Sequence, residues 1–207
     1  MRVDELELQR ANVTIVYDKL PVNDISLDLF KTIWPDDPHP AITSMPDMMV
    51  IMYPARALTI SAQNRRLIID WLLGQTFVPE ELAHATQIAA GAVKQGRMIA
   101  FGLNYNFRVT LNLKEGQTSV AYLIAKYLRD TDALAKKGGG KLIGVGLDLT
   151  FERDLGRLQI GLRPVDPTTI TADTNLHFRA DSIPPATELA TLLAKGRQEV
   201  ETRIKQL

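Results

Sequence analysis

Apolar and polar residues alternate strictly over long stretches in the second half of the chain. A β-strand points successive side chains to opposite faces of its sheet, so this alternation predicts strands with one buried face. The longest stretch is 98–113, and another covers 170–180. Two further stretches, 141–152 and 158–163, are separated by a short loop that contains a glycine, and we expect them to form a β-hairpin.

The first third of the chain alternates less regularly but still predicts five short strands. They cover 12–18, 25–30, 48–53, 57–61 and 65–72. Four prolines between the second and third of these strands argue against regular structure there, because proline has no backbone N–H to donate. We therefore expect an internal proline-rich loop at 35–47.

Three other segments repeat apolar residues every three or four positions, which predicts amphipathic helices at 79–96, 118–137 and 185–207. The apolar stripe of the last helix includes Gly196. A glycine inside a helix costs about 1 kcal/mol relative to alanine, so its presence predicts the close approach of a neighbouring backbone. We expect that contact at Gly144 or Gly146 of the sheet.

Together these elements predict an α+β fold: a mainly antiparallel sheet in a two-layer sandwich with three amphipathic helices and a long C-terminal helix. The helices should cover the apolar face of the sheet and leave the other face open and polar. A chain of 207 residues is long enough to bury its own core, so we expect one domain over 1–207.

The composition excludes several classes of function. Twenty-four Lys and Arg residues balance 24 Asp and Glu residues, so the charge gives no reason to expect duplex DNA or an anionic membrane as partner. Without cysteine, the chain can hold neither an iron–sulfur cluster nor a thiolate-bound zinc ion, and we predict no cofactor and no metal. Residues 1–10 carry Asp4, Glu5 and Glu7 and do not resemble a secretory signal, and no apolar run is long enough for a membrane helix. We therefore predict a cytoplasmic location.

Catalytic motifs are missing from the sequence. It contains neither a Gly-x-Ser-x-Gly elbow nor a His-Glu-x-x-His pair. His39, His84 and His177 are far apart along the chain, and we expect them to be unrelated surface residues. The sequence therefore does not favour an enzyme, although a site assembled from distant loops stays open.

The open polar face of the sheet is the candidate binding surface. Alternation assigns to it two asparagines and residues of both charges, a composition that suits a ligand or partner as well as a solvated sheet. Aromatic side chains are absent from the assignment, which argues against stacking of single-stranded nucleic acid. The candidate residues are Asn104, Asn106, Arg108, Asp148, Glu152, His177 and Arg179, with Thr150, Arg157, Gln159, Arg163 and Asp173 expected beside them.

The stretch from Gly102 to Arg108, Gly-Leu-Asn-Tyr-Asn-Phe-Arg, follows a predicted hairpin and helix. It resembles a strand of a sporadically distributed bacterial family of uncharacterised proteins, whose pattern reads Gly-Leu-Arg-Tyr-x-Asn-Arg. The resemblance covers the layout of residues 55–207, including the final strand and helix. Asn104 stands where that pattern has arginine. The resemblance implies no activity, because none is established for the family.

Three functional hypotheses follow. The first is a non-catalytic binding or assembly module that uses the open polar face. The second is a small-molecule carrier with a cavity between a curved sheet and the C-terminal helix, and the third is an enzyme with a site built from distant loops. Exposed sheet edges also predict a two-fold homodimer, while another protein or a small ligand is a further possible partner.

Overall fold

The computed structural model describes residues 3–31, 33–34, 40–72, 76–137, 142–153 and 156–207. Within these residues, nine strands form a single antiparallel sheet in the order β2-β3-β4-β5-β1-β6-β9-β8-β7. The strands are β1 (Val3–Tyr17), β2 (Ala41–Met45), β3 (Met48–Tyr53), β4 (Leu58–Gln63), β5 (Arg66–Leu72), β6 (Met98–Leu111), β7 (Leu147–Arg153), β8 (Gly156–Pro164) and β9 (Thr169–Phe178).

Helices occupy the connections between strands and the C-terminal segment. Within the same described ranges they are α1 (Leu27–Phe30), α2 (Pro79–Ala92), α3 (Ser119–Tyr127), α4 (Thr131–Lys137) and α5 (Ala186–Gln206). The predicted fold class, α+β with an antiparallel sheet and a long C-terminal helix, is confirmed. None of the helices in the described ranges is long and apolar enough to cross a membrane.

The predicted helix at 118–137 is two helices. Thr118 caps α3, since its hydroxyl oxygen accepts a hydrogen bond from the N–H of Ala121 at 3.2 Å. Asp130 then provides a second start, because its carboxylate accepts from the N–H of Ala133 at 2.9 Å. A new cap inside an otherwise helical pattern ends the first helix and begins another. The lysines before Gly138 still end α4 as expected, while residues 138–141 lie outside the described ones.

The prediction of a strand at 25–30 is wrong. Only Ile25 makes a β-bridge, to Val93, and the following residues form α1. Phe30 is fully buried, and its carbonyl oxygen accepts a hydrogen bond from the hydroxyl of Tyr53 at 2.5 Å. Tertiary packing therefore overrides a local alternation of only six residues.

The predicted loop at 35–47 contains a strand. Residues 35–39 lie outside the described part of the chain, but β2 pairs with β3 through residues 41–45. Pro40 and Pro46 flank β2 without entering it, and proline is tolerated next to an edge strand. The prolines therefore predicted a loop over a segment that contains one strand of a short hairpin.

The core lies between the sheet and a layer formed mainly by α2 and α5, which pack against each other. The long strand β6 turns Leu103, Tyr105 and Phe107 toward these helices, and all three side chains are buried. The hydroxyl of Tyr105 donates to the carbonyl oxygen of Leu193 in α5 at 2.7 Å. This bond satisfies the polar end of an otherwise apolar ring, so α5 is docked on the sheet at one defined position.

Gly196 of α5 faces the sheet, but its neighbours differ from the expected ones. A Cβ atom at this position would lie 2.8 Å from Leu176 Cδ1 and 3.0 Å from the Tyr105 hydroxyl. The contact is therefore with side chains, not with the backbone at Gly144 or Gly146. Gly144 has no atom within 4 Å of its Cβ position, and Gly146 lies under the side chain of Arg163.

We predict that Gly196→Leu lowers the free energy of unfolding by about 1–3 kcal/mol, because the new side chain overpacks the contact with Leu176 and Tyr105. Gly91→Ala is the matched control, since Gly91 is also in a helix but has open space around it. That change should stabilise the protein by about 0.5–1 kcal/mol. Urea unfolding measures both. A Gly196→Leu variant as stable as the parent would contradict the packing of α5.

Alkaline pH should weaken the fold through its buried tyrosines. Burial raises the pKa of Tyr17 to about 12 from its ordinary value of 10.0, and it also raises the pKa of Tyr105. Their contribution is therefore complete below pH 10 and is lost as the pH rises toward 12, since the unfolded chain ionises first. We expect Tyr17→Phe to lose less stability than the parent between pH 8 and pH 11, measured by urea unfolding. Equal losses would contradict this origin.

Candidate functional site

A row of carboxamide side chains crosses the centre of the sheet on its open face. Strand pairing places Asn12 of β1 opposite Asn104 of β6, Asn104 opposite Asn175 of β9, and Asn175 opposite Gln159 of β8. Because neighbouring strands are about 4.8 Å apart, successive members of the row are spaced by about that distance. We call Asn12, Asn104, Asn175 and Gln159 the carboxamide row.

The carboxamide row lies in a cleft of about 660 Å³ on the open face. Residues of six adjacent strands, from β5 to β7, line this cleft. We call this cleft the polar trough. Besides the carboxamide row, its side chains come from Arg10, Thr14, Ile68, Asn106, Asp148, Arg163 and Asp173, and Gly161 adds backbone.

Hydrogen bonds fix one end of the carboxamide row. The side-chain oxygen of Asn12 accepts from the amide of Asn104 at 2.7 Å and from the hydroxyl of Thr14 at 3.0 Å. Two donors on one oxygen hold the Asn12 and Asn104 amides in defined orientations. This end of the row is therefore preorganised.

Asn175, in contrast, carries an unpaired acceptor. Its side-chain oxygen is buried and accepts no hydrogen bond from any described residue. The amide lies over Gly102, where a Cβ atom would be 3.0 Å from this oxygen, so the absence of a side chain at Gly102 makes room for it. A buried acceptor without a partner costs roughly 1–3 kcal/mol, which makes Asn175 the residue with most to gain from a ligand that donates.

Most charged groups of the polar trough form ion pairs. Arg163 donates to both carboxylate oxygens of Asp148, at 2.6 and 2.7 Å. Arg10 donates to both oxygens of Asp70, at 2.7 and 2.6 Å, and these hydrogen bonds raise the pKa of the Arg10 guanidinium. The carboxylate of Asp173 accepts from the amide of Asn106. Because both arginines are held by carboxylates and Asp173 accepts from an amide, the trough presents mainly hydrogen-bonding groups with a single carboxylate that has no cationic partner among the described ion pairs.

The structure brings only part of the predicted surface together. Asn104, Asn106 and Asp148 lie in the polar trough, as do Gln159, Arg163 and Asp173. Arg108 lies toward the β8–β9 turn, where it pairs with Asp166 at 3.3 Å. Glu152 pairs with Arg157 at 3.0 Å near the opposite end, and His177 lies opposite Arg157 in the register. Arg179 follows the end of β9 and is exposed, so it does not share the trough.

Sequence reasoning missed the contribution of β1. Arg10, Asn12 and Thr14 alternate with the buried Ala11 and Val13, so the local signal was the same as in β6. What alternation cannot give is the neighbour of each strand. Asn175 alternates with the buried Thr174 and Leu176, which indicates the open face, but its place beside Asn104 depends on the pairing of β9 with β6.

The histidines do not converge in the part of the chain that the structure describes. His84 lies within 3.2 Å of the carbonyl oxygen of Ile33, and His177 lies on the open face at one end of β9. His39 is outside the described residues. Among those described, no group of three histidine or carboxylate side chains is arranged to hold a metal ion.

Asp70→Asn should destabilise the fold by about 1–3 kcal/mol, because it leaves Arg10 without a bidentate carboxylate. The Asp70 side chain is only 11% exposed, so water replaces the lost bonds poorly. Glu152→Gln is the matched control: its side chain is 78% exposed, and we expect a change within about 0.5 kcal/mol. Urea unfolding of both variants checks the difference. Equal effects would contradict a structural role for the Arg10–Asp70 pair.

Comparison with known proteins gives no assignment: no protein-family model matches the chain, and no curated protein matches it. The relation to the bacterial family that the Gly102–Arg108 strand resembles therefore stays a prediction. A function for this chain has to be argued from the geometry of the polar trough.

Proposed function

We propose that this chain is a non-catalytic binding module whose polar trough holds an uncharged ligand rich in hydrogen-bond donors and acceptors. The observation that carries the proposal is the unpaired, buried side-chain oxygen of Asn175 within the carboxamide row. A ligand hydroxyl or amide N–H would satisfy this oxygen once the Asn175 amide rotates away from Gly102 and into the trough. The unpaired acceptor destabilises the free protein, so a ligand that pairs with it gains affinity.

The shape of the polar trough supports a small ligand or a segment of a larger one. Its volume of about 660 Å³ falls within the range of roughly 300–1,000 Å³ usual for small-molecule sites. Its lining is more polar than that of a typical small-molecule site, so we expect hydrogen bonds rather than apolar burial to supply the selectivity. The paired charges of Arg163 with Asp148 and Arg10 with Asp70 disfavour ligands with a high charge, because binding them would break existing pairs.

The other two hypotheses gain no support from the described residues. A carrier would need space between the sheet and α5, whereas Gly196 is in contact there with Leu176 and Tyr105. An enzyme would need reactive groups in reach of one another, and the polar trough contains amides and mostly paired charges. The binding module is therefore the hypothesis that the geometry supports best.

The predicted homodimer and the predicted cytoplasmic location belong to this proposal. Support for the homodimer comes from the two outer strands of the sheet, β2 and β7, beyond which no further described strand pairs. Unpaired strand edges favour association with another chain. The cytoplasmic location stays a prediction from the sequence.

Nuclear magnetic resonance tests the ligand class directly, because Asn and Gln side-chain amides give separate signals. Glycerol, acetamide and N-acetylglucosamine serve as uncharged probes, inorganic phosphate as an anionic probe and spermidine as a cationic one. We expect millimolar concentrations of the uncharged probes to shift the signals of Asn175 and Asn104. The signals of Asn23, Asn64 and Asn112, which lie outside the trough, should not move.

Asn175→Ala separates binding from stability. The variant should lose the response to the uncharged probes, yet it should melt at or above the temperature of the parent, because an unsatisfied acceptor has been removed. Asn112→Ala is the control and should bind as the parent does. The proposal is wrong if no uncharged probe shifts the trough signals beyond those of the control residues, or if Asn175→Ala binds unchanged.

A further inference from the structure

The open face of the sheet changes character away from the polar trough. On β2 and β3 all of its outward side chains except Thr43 are apolar: Met45 is 51% exposed, Met52 is 42% exposed, and Met48 and Val50 are half-buried. The β2–β3 register places Met45 opposite Met48, and Val50 opposite Thr43, so these side chains are contiguous. We call Met45, Met48, Val50 and Met52 the methionine patch. Exposed apolar patches mark contact surfaces, and methionine adapts readily to a partner.

The methionine patch lies at an open edge of the sheet. β2 is the last strand on this side in the order of the described strands, so the backbone groups on its outer side have no described strand beside them. Residues 41–45 read Ala-Ile-Thr-Ser-Met and include neither a charge nor a proline. Natural edge strands usually carry such residues to prevent pairing with other chains. β2 itself carries no such residue, and Pro40 and Pro46 on either side of it limit pairing to its five residues.

The opposite edge is protected in the usual way. β7 carries Asp148, Glu152 and Arg153, which form ion pairs with Arg163, Arg157 and Glu199. Charged side chains on an edge strand oppose its pairing with a second strand. The two edges of one sheet therefore differ, and only β2 is suited to accept another strand.

We propose that two copies of this chain associate through antiparallel pairing of β2 with its counterpart about a two-fold axis at Thr43. Thr43 is the central residue of β2 and its side chain is exposed. An axis perpendicular to the sheet keeps both open faces on the same side, so the two methionine patches become contiguous, and side chains along the paired strands cover part of each other. A two-fold contact of this kind is self-complementary, and a net charge of zero adds no overall repulsion. The inference rests on the predicted homodimer and is independent of what occupies the polar trough.

Light scattering over a range of concentrations tests this pairing with two matched threonines. Thr43 and Thr150 are both exposed residues of outer strands, on β2 and β7 respectively. We expect the parent to have twice the monomer mass, and Thr43→Lys to raise the dissociation constant about tenfold or more, since two lysines would face each other across the axis. Thr150→Lys should leave the dimer intact. The melting of each variant at low concentration reports on its fold.

Cysteine cross-linking provides a second readout, because the chain contains no cysteine of its own. Thr43→Cys should form a covalent dimer under mild oxidation, whereas Thr150→Cys should form none beyond the background of random collisions. A parent that stays monomeric at high concentration overturns the homodimer itself. A dimer that survives Thr43→Lys, or that cross-links only through Thr150→Cys, overturns the β2 pairing alone. Uncharged probes titrated into Thr43→Lys test the polar trough separately, because the trough does not depend on the pairing of β2.

Discussion

The register of the three long central strands determines both faces of the sheet. When β1, β6 and β9 align so that Val13, Leu103 and Leu176 meet under the helices, their outward neighbours align as well. Asn12, Asn104 and Asn175 therefore form a continuous row, and the hydrogen bond between Asn104 and Asn12 strengthens an alignment that the core already imposes. Because side chains alternate with a period of two, a slip by one residue would bury the carboxamides and expose the core. The hydrophobic effect thus builds the polar site.

The helical layer holds this register in place. Tyr105 lies between the two asparagines of β6, points inward and bonds to the backbone of α5, which ties the strand that carries the site to the longest helix. Gly196 allows α5 to sit close to Leu176 on the neighbouring strand. A rigid inner face gives the outer amides fixed positions, and fixed positions lower the entropic cost of binding.

Sequence patterns predicted the strands well where alternation was long and failed where it was short or interrupted. The strand at 98–113 became β6, whereas the six residues at 25–30 alternated and still formed α1. Ile143 continued the alternation before β7, yet its side chain is 84% exposed and precedes the strand. Alternation measures what one segment prefers, while burial depends on whether a partner segment is present to cover it.

The candidate site was only partly predictable for a related reason. The face of each polar residue followed from its own strand, so Asn104, Asn106 and Asp148 were found. The order of strands is a long-range property, and without it Asn12 was not placed beside Asn104, nor Arg10 beside Asp70. A complete asparagine row and an unpaired oxygen on Asn175 exist only at the level of the folded sheet.

The open face also shows how one sheet can serve two kinds of contact. From β5 to β7 this face contains amides and mostly paired charges, whereas on β2 and β3 it contains methionines. Water can solvate the first region at little cost, but it solvates exposed methionine poorly, so the two regions favour different partners. Pairing of β2 with its counterpart would place the two methionine patches side by side and leave the polar trough of each copy open on the same side of an extended sheet. Polar and apolar outward residues occupy different strands of the sheet. Self-association and ligand binding can therefore use the same sheet without competing.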